Sequence, residues 1–226
     1  MAARPAATHD TAHSTRAPNG AMITWQRMLK PLVFAACAIP VLVLASRAFA
    51  GVLGPNPVEA ISRYTGDWAL RMLLLTLAIT PLRKLTGANS LVRLRRMLGL
   101  YAYFYACLHL LTYVWLDAFF SLAYIWNDIA KRLYITAGFT AFCLLTPLAA
   151  TSTNAMIRRL GARRWQQLHR LGYAAAGAAI LHFLWLVKAD LSEPLLYLAI
   201  FIVLMLARVP PVSRRLARLR PVSAPR

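Results

Sequence analysis

The sequence predicts an all-α membrane protein, a six-transmembrane-helix bundle with both termini cytoplasmic. Three observations predict this fold: an apolar composition, six separated apolar runs, and basic residues gathered on one side. Of the 226 residues, 59% are hydrophobic and only 15% are charged, and the mean hydropathy is +0.53. Charged residues make up about 25% of an average soluble domain. An ordinary soluble enzyme is therefore excluded.

Each predicted helix is an apolar run bounded by polar residues. A span needs about 20 such residues, or fewer where aromatic or basic residues anchor its ends. Pro40, Pro81 and Pro147 fall inside these runs and are expected to kink or end helices rather than to mark domains. The predicted spans are Leu32–Phe49, Trp68–Leu82, Leu98–Leu116, Leu133–Ala150, Leu171–Val187 and Leu195–Val209.

The charge distribution predicts the orientation. With alternating spans, 20 of the 26 Lys and Arg residues fall in the two tails and in the loops after the second and fourth spans. Six of the seven acids fall on the other side. Because cytoplasmic loops retain Lys and Arg, this asymmetry places both termini in the cytoplasm. The net charge of +19 is accordingly assigned to topology and not to nucleic-acid binding.

Three regions are predicted along the chain. Residues 1–24 are rich in Ala, Thr, Ser and Pro without apolar periodicity, which is typical of a disordered cytoplasmic tail. Residues 25–210 form the membrane domain, and residues 211–226 form a basic cytoplasmic tail. The segment Ala48–Ala50 resembles a signal-peptidase site. An uncleaved helix is preferred because the apolar run is long and Arg47 immediately precedes this segment; cleavage would leave five helices in the same orientation.

Neither the cysteines nor the tail histidines predict a metal site. Cys37, Cys107 and Cys143 lie inside apolar runs without a Cys-x-x-Cys pair, so they form no disulfide framework or zinc site. His9 and His13 are four residues apart, but they have no further ligand candidates around them.

Two histidines lie at matched depth in the predicted membrane. His109 follows Leu98 by 11 residues, and His182 follows Leu171 by 11 residues. At about 1.5 Å per residue, both lie about 17 Å from the cytoplasmic end of their spans, and both spans run outward. Two imidazoles at one level fit the two axial positions of a haem iron. The alternative is that each histidine hydrogen-bonds a neighbouring helix.

Two axial protein ligands leave the iron no open position, which favours electron transfer over chemistry at the metal. His169 lies 13 residues before His182, or about 20 Å nearer the cytoplasm, and cannot share the same haem. It lies opposite Arg95 and Arg96, and such a basic cluster can bind a phosphate or carboxylate. The alternative is that these arginines only set topology.

Ordered motifs in four segments make the chain resemble a known family. They are TGDWAL at 65–70 leading to TPLR at 80–83, RRMLGL at 95–100 before His109, and WQQLHRLGY at 165–173 before His182. Over about residues 25–210 the chain is similar to the MsrQ (YedZ) family of haem-binding membrane subunits. These belong to the wider ferric reductase-like transmembrane group, whose members often carry two histidine pairs and two haems.

The resemblance implies both cofactors and partners. Arg95 and Arg96 stand where an inner histidine partner is expected, so one haem b, on His109 and His182, is expected. At the inner site the resemblance implies FMN with its phosphate near these arginines, while His169 lies nearby or ligates a second haem. Electrons would pass from a cytosolic flavin reductase using NAD(P)H, or from quinols, to the periplasmic molybdopterin enzyme MsrP, which reduces methionine sulfoxide in envelope proteins.

The sequence agrees with a relay between separate partners, since it contains no Gly-rich dinucleotide fingerprint. The chain is then an electron-transfer subunit rather than the catalytic one. Two alternatives remain open at this stage. One is a ferric reductase that acts directly on external metal. The other is a small transporter or scaffold without haem, whose histidines relay protons or pack.

Overall fold

The computed structural model describes residues 20–218, and within that range it is helical without a strand. A 3₁₀ turn at Asn89–Leu91 leads into the third helix, and a π-helical turn at Tyr113–Asp117 follows it. The helices are α1 Gly20–Phe49, α2 Pro57–Thr86, α3 Val92–Thr112, α4 Leu122–Lys131, α5 Leu133–Ala150, α6 Asn154–Leu160, α7 Ala162–Leu168, α8 Leu171–Leu186, α9 Ser192–Leu206 and α10 Pro210–Arg218.

The all-α prediction is confirmed over the described residues, and the six predicted spans fall on α1, α2, α3, α5, α8 and α9. Between residues 20 and 218, three stretches are long and apolar enough to cross a bilayer, namely Met28–Phe49, Asn89–Asp117 and Leu133–Ala150. Helix α9 is apolar but shorter. The number of spans and the side on which the termini lie therefore stay predictions.

Both predicted tails overlap helices. Helix α1 begins at Gly20, inside the segment expected to be a tail, because residues 21–28 contain no proline or glycine that would stop the helix. Residues 1–19, with His9 and His13, lie outside the described residues. Helix α10 covers the first residues of the predicted basic tail. It begins one residue before that tail, with Pro210 at its first position, where a missing N–H costs nothing.

Two helix pairs form the centre of the bundle. Helix α2 packs along α3, and α5 packs along α8. Residues with small side chains permit this close contact, since Ala102, Ala175 and Ala176 are completely buried. Asn56 caps the N-terminus of α2, because its side-chain oxygen accepts a hydrogen bond from the Glu59 N–H. Contacts of α3 with α5 and of α2 with α8 join the two pairs into one group of four helices.

Helix α1 is joined to α3 at its proline. Pro40 lies inside α1 rather than at its end. The hydroxyl of Tyr105, a fully buried residue of α3, donates to the Cys37 carbonyl at 2.8 Å and accepts the Val41 N–H at 3.2 Å. In an uninterrupted helix those two backbone groups would bond each other. A side chain has thus inserted into the hydrogen-bond ladder of α1 beside the proline.

The proline of α2 is compensated in a similar way. Pro81 has no N–H, so the Leu77 carbonyl loses its helical donor. The guanidinium of Arg208, just beyond α9, donates to that carbonyl and to the Leu204 carbonyl. It also lies over the Tyr173 ring, 5.4 Å from the ring centre. Arg208 therefore ties α2, α8 and α9 together at one end of the bundle.

The segment between α3 and α5 carries an amphipathic helix. In α4 the buried Asp128 accepts a hydrogen bond from Tyr113 at 3.1 Å and pairs with Arg132 at 3.2 Å. Leu122 and Trp126, one turn apart, are exposed. Sequence reasoning missed α4, α6 and α7, because helices this short carry too few periodic positions to be recognised.

Candidate functional site

The two histidines at matched depth lie side by side within the group of four helices α2, α3, α5 and α8. His109 belongs to α3 and His182 to α8, and their ring centres are 6.0 Å apart. The ring planes are inclined at 72°. Two imidazoles that are 73 residues apart in the sequence thus come together, which is the juxtaposition that the depth argument predicted.

Each imidazole is anchored to the backbone of a neighbouring helix. The Nδ1 atom of His109 lies 2.9 Å from the Ser62 carbonyl oxygen of α2. The Nδ1 atom of His182 lies 2.7 Å from the Tyr134 carbonyl oxygen of α5. A carbonyl only accepts, so Nδ1 is the protonated nitrogen of each ring. Both Nε2 atoms therefore keep a free lone pair, which is the state a metal ligand needs.

Tyr134, whose carbonyl anchors His182, is itself linked to α4 through Arg132. The Tyr134 hydroxyl accepts a hydrogen bond from Arg132 at 3.2 Å, and Arg132 also pairs with the buried Asp128. Arg132 and Tyr134 flank the first residue of α5. The residue whose carbonyl holds His182 is thus itself held by the ion pair at the end of α4.

The donor set fits a haem iron. Among the described residues, no three His, Cys, Asp or Glu side chains gather where they could hold a metal ion. Two imidazoles alone suit a metal whose other four ligands come from a macrocycle. Bonds of about 2 Å from each Nε2 to a shared metal require ring centres about 6 Å apart. The observed spacing of 6.0 Å satisfies that requirement.

A second cluster lies at the other end of α3 and α8. His169 stacks on Trp165 of α7 with ring centres 3.9 Å apart, and its Nε2 lies 3.3 Å from the Thr151 hydroxyl. The Trp165 indole donates to the Thr151 carbonyl at 2.9 Å. Burial lowers the pKa of His169 first, and the positive charges of Arg95 and Arg96 lower it further. This histidine is therefore held neutral beside two cations.

Among the described residues, the two arginines of this cluster have no acidic partner. Arg96 donates to the Asn154 side-chain oxygen at 2.7 Å. Within the described part of the chain, the side-chain ion pairs are Arg71 with Asp67 and Arg132 with Asp128, both far along the chain from this cluster. The unneutralised guanidinium groups fit a bound phosphate or carboxylate.

The structure thus brings the predicted site residues into two groups, His109 with His182, and Arg95 and Arg96 with His169. Sequence reasoning missed the residues that hold them. The Ser62 and Tyr134 carbonyls are backbone groups, so their side chains gave no signal. Thr151 and Asn154 also escaped notice. Trp165 stands in the WQQLHRLGY motif, but its stacking on His169 was not predicted, although the two are four residues apart, a spacing that brings side chains together on a helix.

Comparison with known proteins identifies the family to which the sequence is similar. Residues 65–180 match the family described as ferric reductase like transmembrane component. Three similar relatives are each named protein-methionine-sulfoxide reductase heme-binding subunit MsrQ. The Rhodospirillum rubrum protein is 51% identical over 189 residues, which cover 84% of this chain and 91% of the relative. The Herminiimonas arsenicoxydans protein is 51% identical over 184 residues, covering 80% and 84%. The Polaromonas naphthalenivorans protein is 52% identical over 182 residues, covering 80% and 83%.

Proposed function

The chain belongs to the MsrQ family within the ferric reductase-like membrane proteins, and from that premise we propose that it is a cytochrome b that relays electrons across the bacterial inner membrane. The observation that carries this proposal is the pair of anchored imidazoles, His109 and His182, each with its Nε2 free. The relatives' names add haem as the group to be bound.

One haem b between His109 and His182 would supply a one-electron carrier that alternates between ferric and ferrous iron. His109 of α3 and His182 of α8 would hold the iron, and their carbonyl anchors on α2 and α5 would fix both rings. Two imidazole ligands would keep external ligands from the metal. This arrangement suits an electron-transfer subunit whose partner carries the catalytic centre.

The proposed topology has six spans, with both termini in the cytoplasm. It is supported by the one-sided distribution of basic residues along the sequence and by the six helices on which the predicted segments fall. Helix α1 is proposed to be retained, because its Cys37 and Leu44 are buried against the bundle. A reporter fused after Arg226 is expected to be active only as a cytoplasmic fusion, whereas periplasmic activity would contradict the topology.

The inner cluster is proposed to bind FMN. Arg95 and Arg96 would hold the phosphate, since their guanidinium groups have no acidic partner among the described residues. Trp165 stacked on His169 provides an aromatic surface beside them. The other outcome is a second haem on His169. Flavin released on denaturation and lost in an Arg95→Gln, Arg96→Gln variant would support FMN, while loss of half the haem in His169→Ala would favour the second haem.

We propose that electrons enter from a cytosolic flavin reductase with NAD(P)H, or from quinols, and leave to the periplasmic molybdopterin reductase MsrP. The family's role in methionine sulfoxide reduction supports the acceptor. The basic inner cluster supports entry on the cytoplasmic side, where an anionic donor is attracted to it. Repair of oxidised envelope proteins is the resulting function.

An anaerobic reoxidation experiment tests this function. The purified protein is reduced through a flavin reductase and NADH, and MsrP with a peptide methionine sulfoxide is then added. Rapid reoxidation that requires both additions is expected. Reoxidation by ferric chelates at a comparable rate without MsrP would instead indicate a direct ferric reductase. A purified wild-type protein without haem, despite adequate haem supply, would indicate a transporter or scaffold.

A further inference from the structure

The two histidines are held by the same backbone device on two different helices. Ser62 and Gly66 are four residues apart on α2, and Tyr134 and Gly138 are four residues apart on α5. In each helix the first residue's carbonyl accepts the imidazole Nδ1–H, and the glycine lies directly against the ring. We propose that Gly66 and Gly138 are positioning residues that form matching seats for the two haem-ligating imidazoles.

The geometry of an α-helix explains why the seat requires glycine. The carbonyl of residue i points toward residue i+4, whose N–H it accepts, and the Cβ of residue i+4 tilts back toward the helix N-terminus. A side chain at i+4 therefore covers the approach to that carbonyl. Without a Cβ, a ring from a neighbouring helix can reach the carbonyl oxygen, whose second lone pair is free.

The distances at both seats support this explanation. A Cβ added to Gly138 would lie 2.8 Å from Nδ1 of His182 and 3.1 Å from its Cε1 and Cγ. A Cβ added to Gly66 would lie 3.1 Å from Cε1 and Nδ1 of His109. At both positions the nearest atoms belong to the imidazole and not to the surrounding helices. The space left by each missing Cβ is therefore filled by the histidine ring.

Two glycines on the helices that carry the histidines, Gly99 of α3 and Gly177 of α8, differ in this respect. A Cβ on Gly99 of α3 would meet Thr76 at an ordinary 3.7 Å, and a Cβ on Gly177 of α8 would meet nothing within 4 Å. Neither contacts a histidine ring. These two positions provide matched controls, because each lies on a helix that carries one of the two histidines.

The seat would act on the bound haem through its ligands. A hydrogen bond from Nδ1 to a carbonyl fixes the ring orientation and raises the basicity of Nε2. A more basic ligand favours ferric iron and lowers the reduction potential. Displacing a ring from its seat is therefore expected to weaken haem binding, to shift the potential in the positive direction and to change the angle between the imidazole planes, which is 72° here.

This inference rests on the proposed haem site, and four single substitutions test it: Gly66→Ala, Gly138→Ala, Gly99→Ala and Gly177→Ala. Haem affinity, the midpoint potential and the low-spin EPR signal, which reports the angle between the imidazole planes, are measured on each purified protein. We expect Gly138→Ala to lose about tenfold or more in haem affinity, in the range typical of groups that orient a metal ligand. Gly66→Ala is expected to lose less, since its contact is 3.1 Å rather than 2.8 Å. Both controls should match the wild type.

Alanine favours helix over glycine, so a loss of haem at the two seats cannot come from weaker helices. Helix content of the haem-free proteins checks this point. If Gly138→Ala fails to fold, the midpoint potential and EPR signal of Gly66→Ala, compared with those of the wild type, decide whether the glycine positions the imidazole. If the wild type binds haem and all four variants match it in haem affinity, potential and EPR signal, the role of the two glycines is overturned and the proposed function stands. A wild type that binds no haem would instead overturn the proposed function, and the seat with it.

Discussion

Replacing Tyr105 with Phe tests how α1 is joined to the rest of the bundle. The substitution keeps the buried ring and removes only the hydroxyl that joins the Val41 N–H to the Cys37 carbonyl. Tyr105 is 0% exposed, so no solvent can replace that hydroxyl. A buried backbone group left without a partner costs about 1–3 kcal/mol. We expect the free energy of unfolding to fall by about that amount.

Tyr101→Phe is the matched control. The Tyr101 hydroxyl also reaches α1, where it donates to the Phe34 carbonyl at 3.0 Å, but this contact is exposed. The Phe34 carbonyl keeps its helical N–H donor when the hydroxyl is removed. Its loss should therefore cost only about 0.5–1 kcal/mol, the lower part of the range for a net hydrogen bond.

Detergent titration followed by circular dichroism measures both free energies. Labelling of Cys37 by a maleimide reports α1 directly, because this thiol is only 3% exposed. Labelling is done in a background in which Cys107 and Cys143 are replaced by Ala. Tyr105→Phe should speed the labelling of Cys37, and Tyr101→Phe should not. Equal stability losses with unchanged labelling would refute the inserted hydroxyl as the link between α1 and α3.

Two further substitutions test the polar contacts at the ends of the bundle. Arg208→Gln should destabilise the protein by about 1–3 kcal/mol, because it leaves the Leu77 carbonyl unpaired. The loss should be clearly smaller in a Pro81→Ala background, where residue 81 regains its N–H. Additive losses in this double-mutant cycle would contradict the role given to Arg208. Asp128→Asn should cost about 1.5–3 kcal/mol, because the buried Asp128 carboxylate loses its charged hydrogen bond from the Tyr113 hydroxyl. An unchanged unfolding midpoint would contradict this expectation.

Periodicity and depth were sufficient to predict the long helices and the histidine pair. A helix rises a fixed distance per residue, so counting from the span ends placed His109 and His182 at one level. The rotation of each helix about its axis was not predictable in this way. That rotation decides which carbonyl each imidazole meets, and so Ser62 and Tyr134 emerged only from the structure.

The prolines illustrate the same limit. The sequence predicted that Pro40 and Pro81 would disturb their helices, because proline lacks a donor wherever it occurs. It could not predict the side chains that compensate. Tyr105 and Arg208 lie 65 and 127 residues farther along the chain, and only the packed bundle brings them to the interrupted ladders.

The most direct test of the central claim is the optical spectrum of the detergent-purified protein, oxidised and dithionite-reduced. Wild type is compared with His109→Ala, His182→Ala and His169→Ala. If His109 and His182 are the two ligands of one haem, the low-spin b-type bands vanish in the first two variants and largely survive in the third. Bands that persist unchanged in His109→Ala and His182→Ala would contradict it.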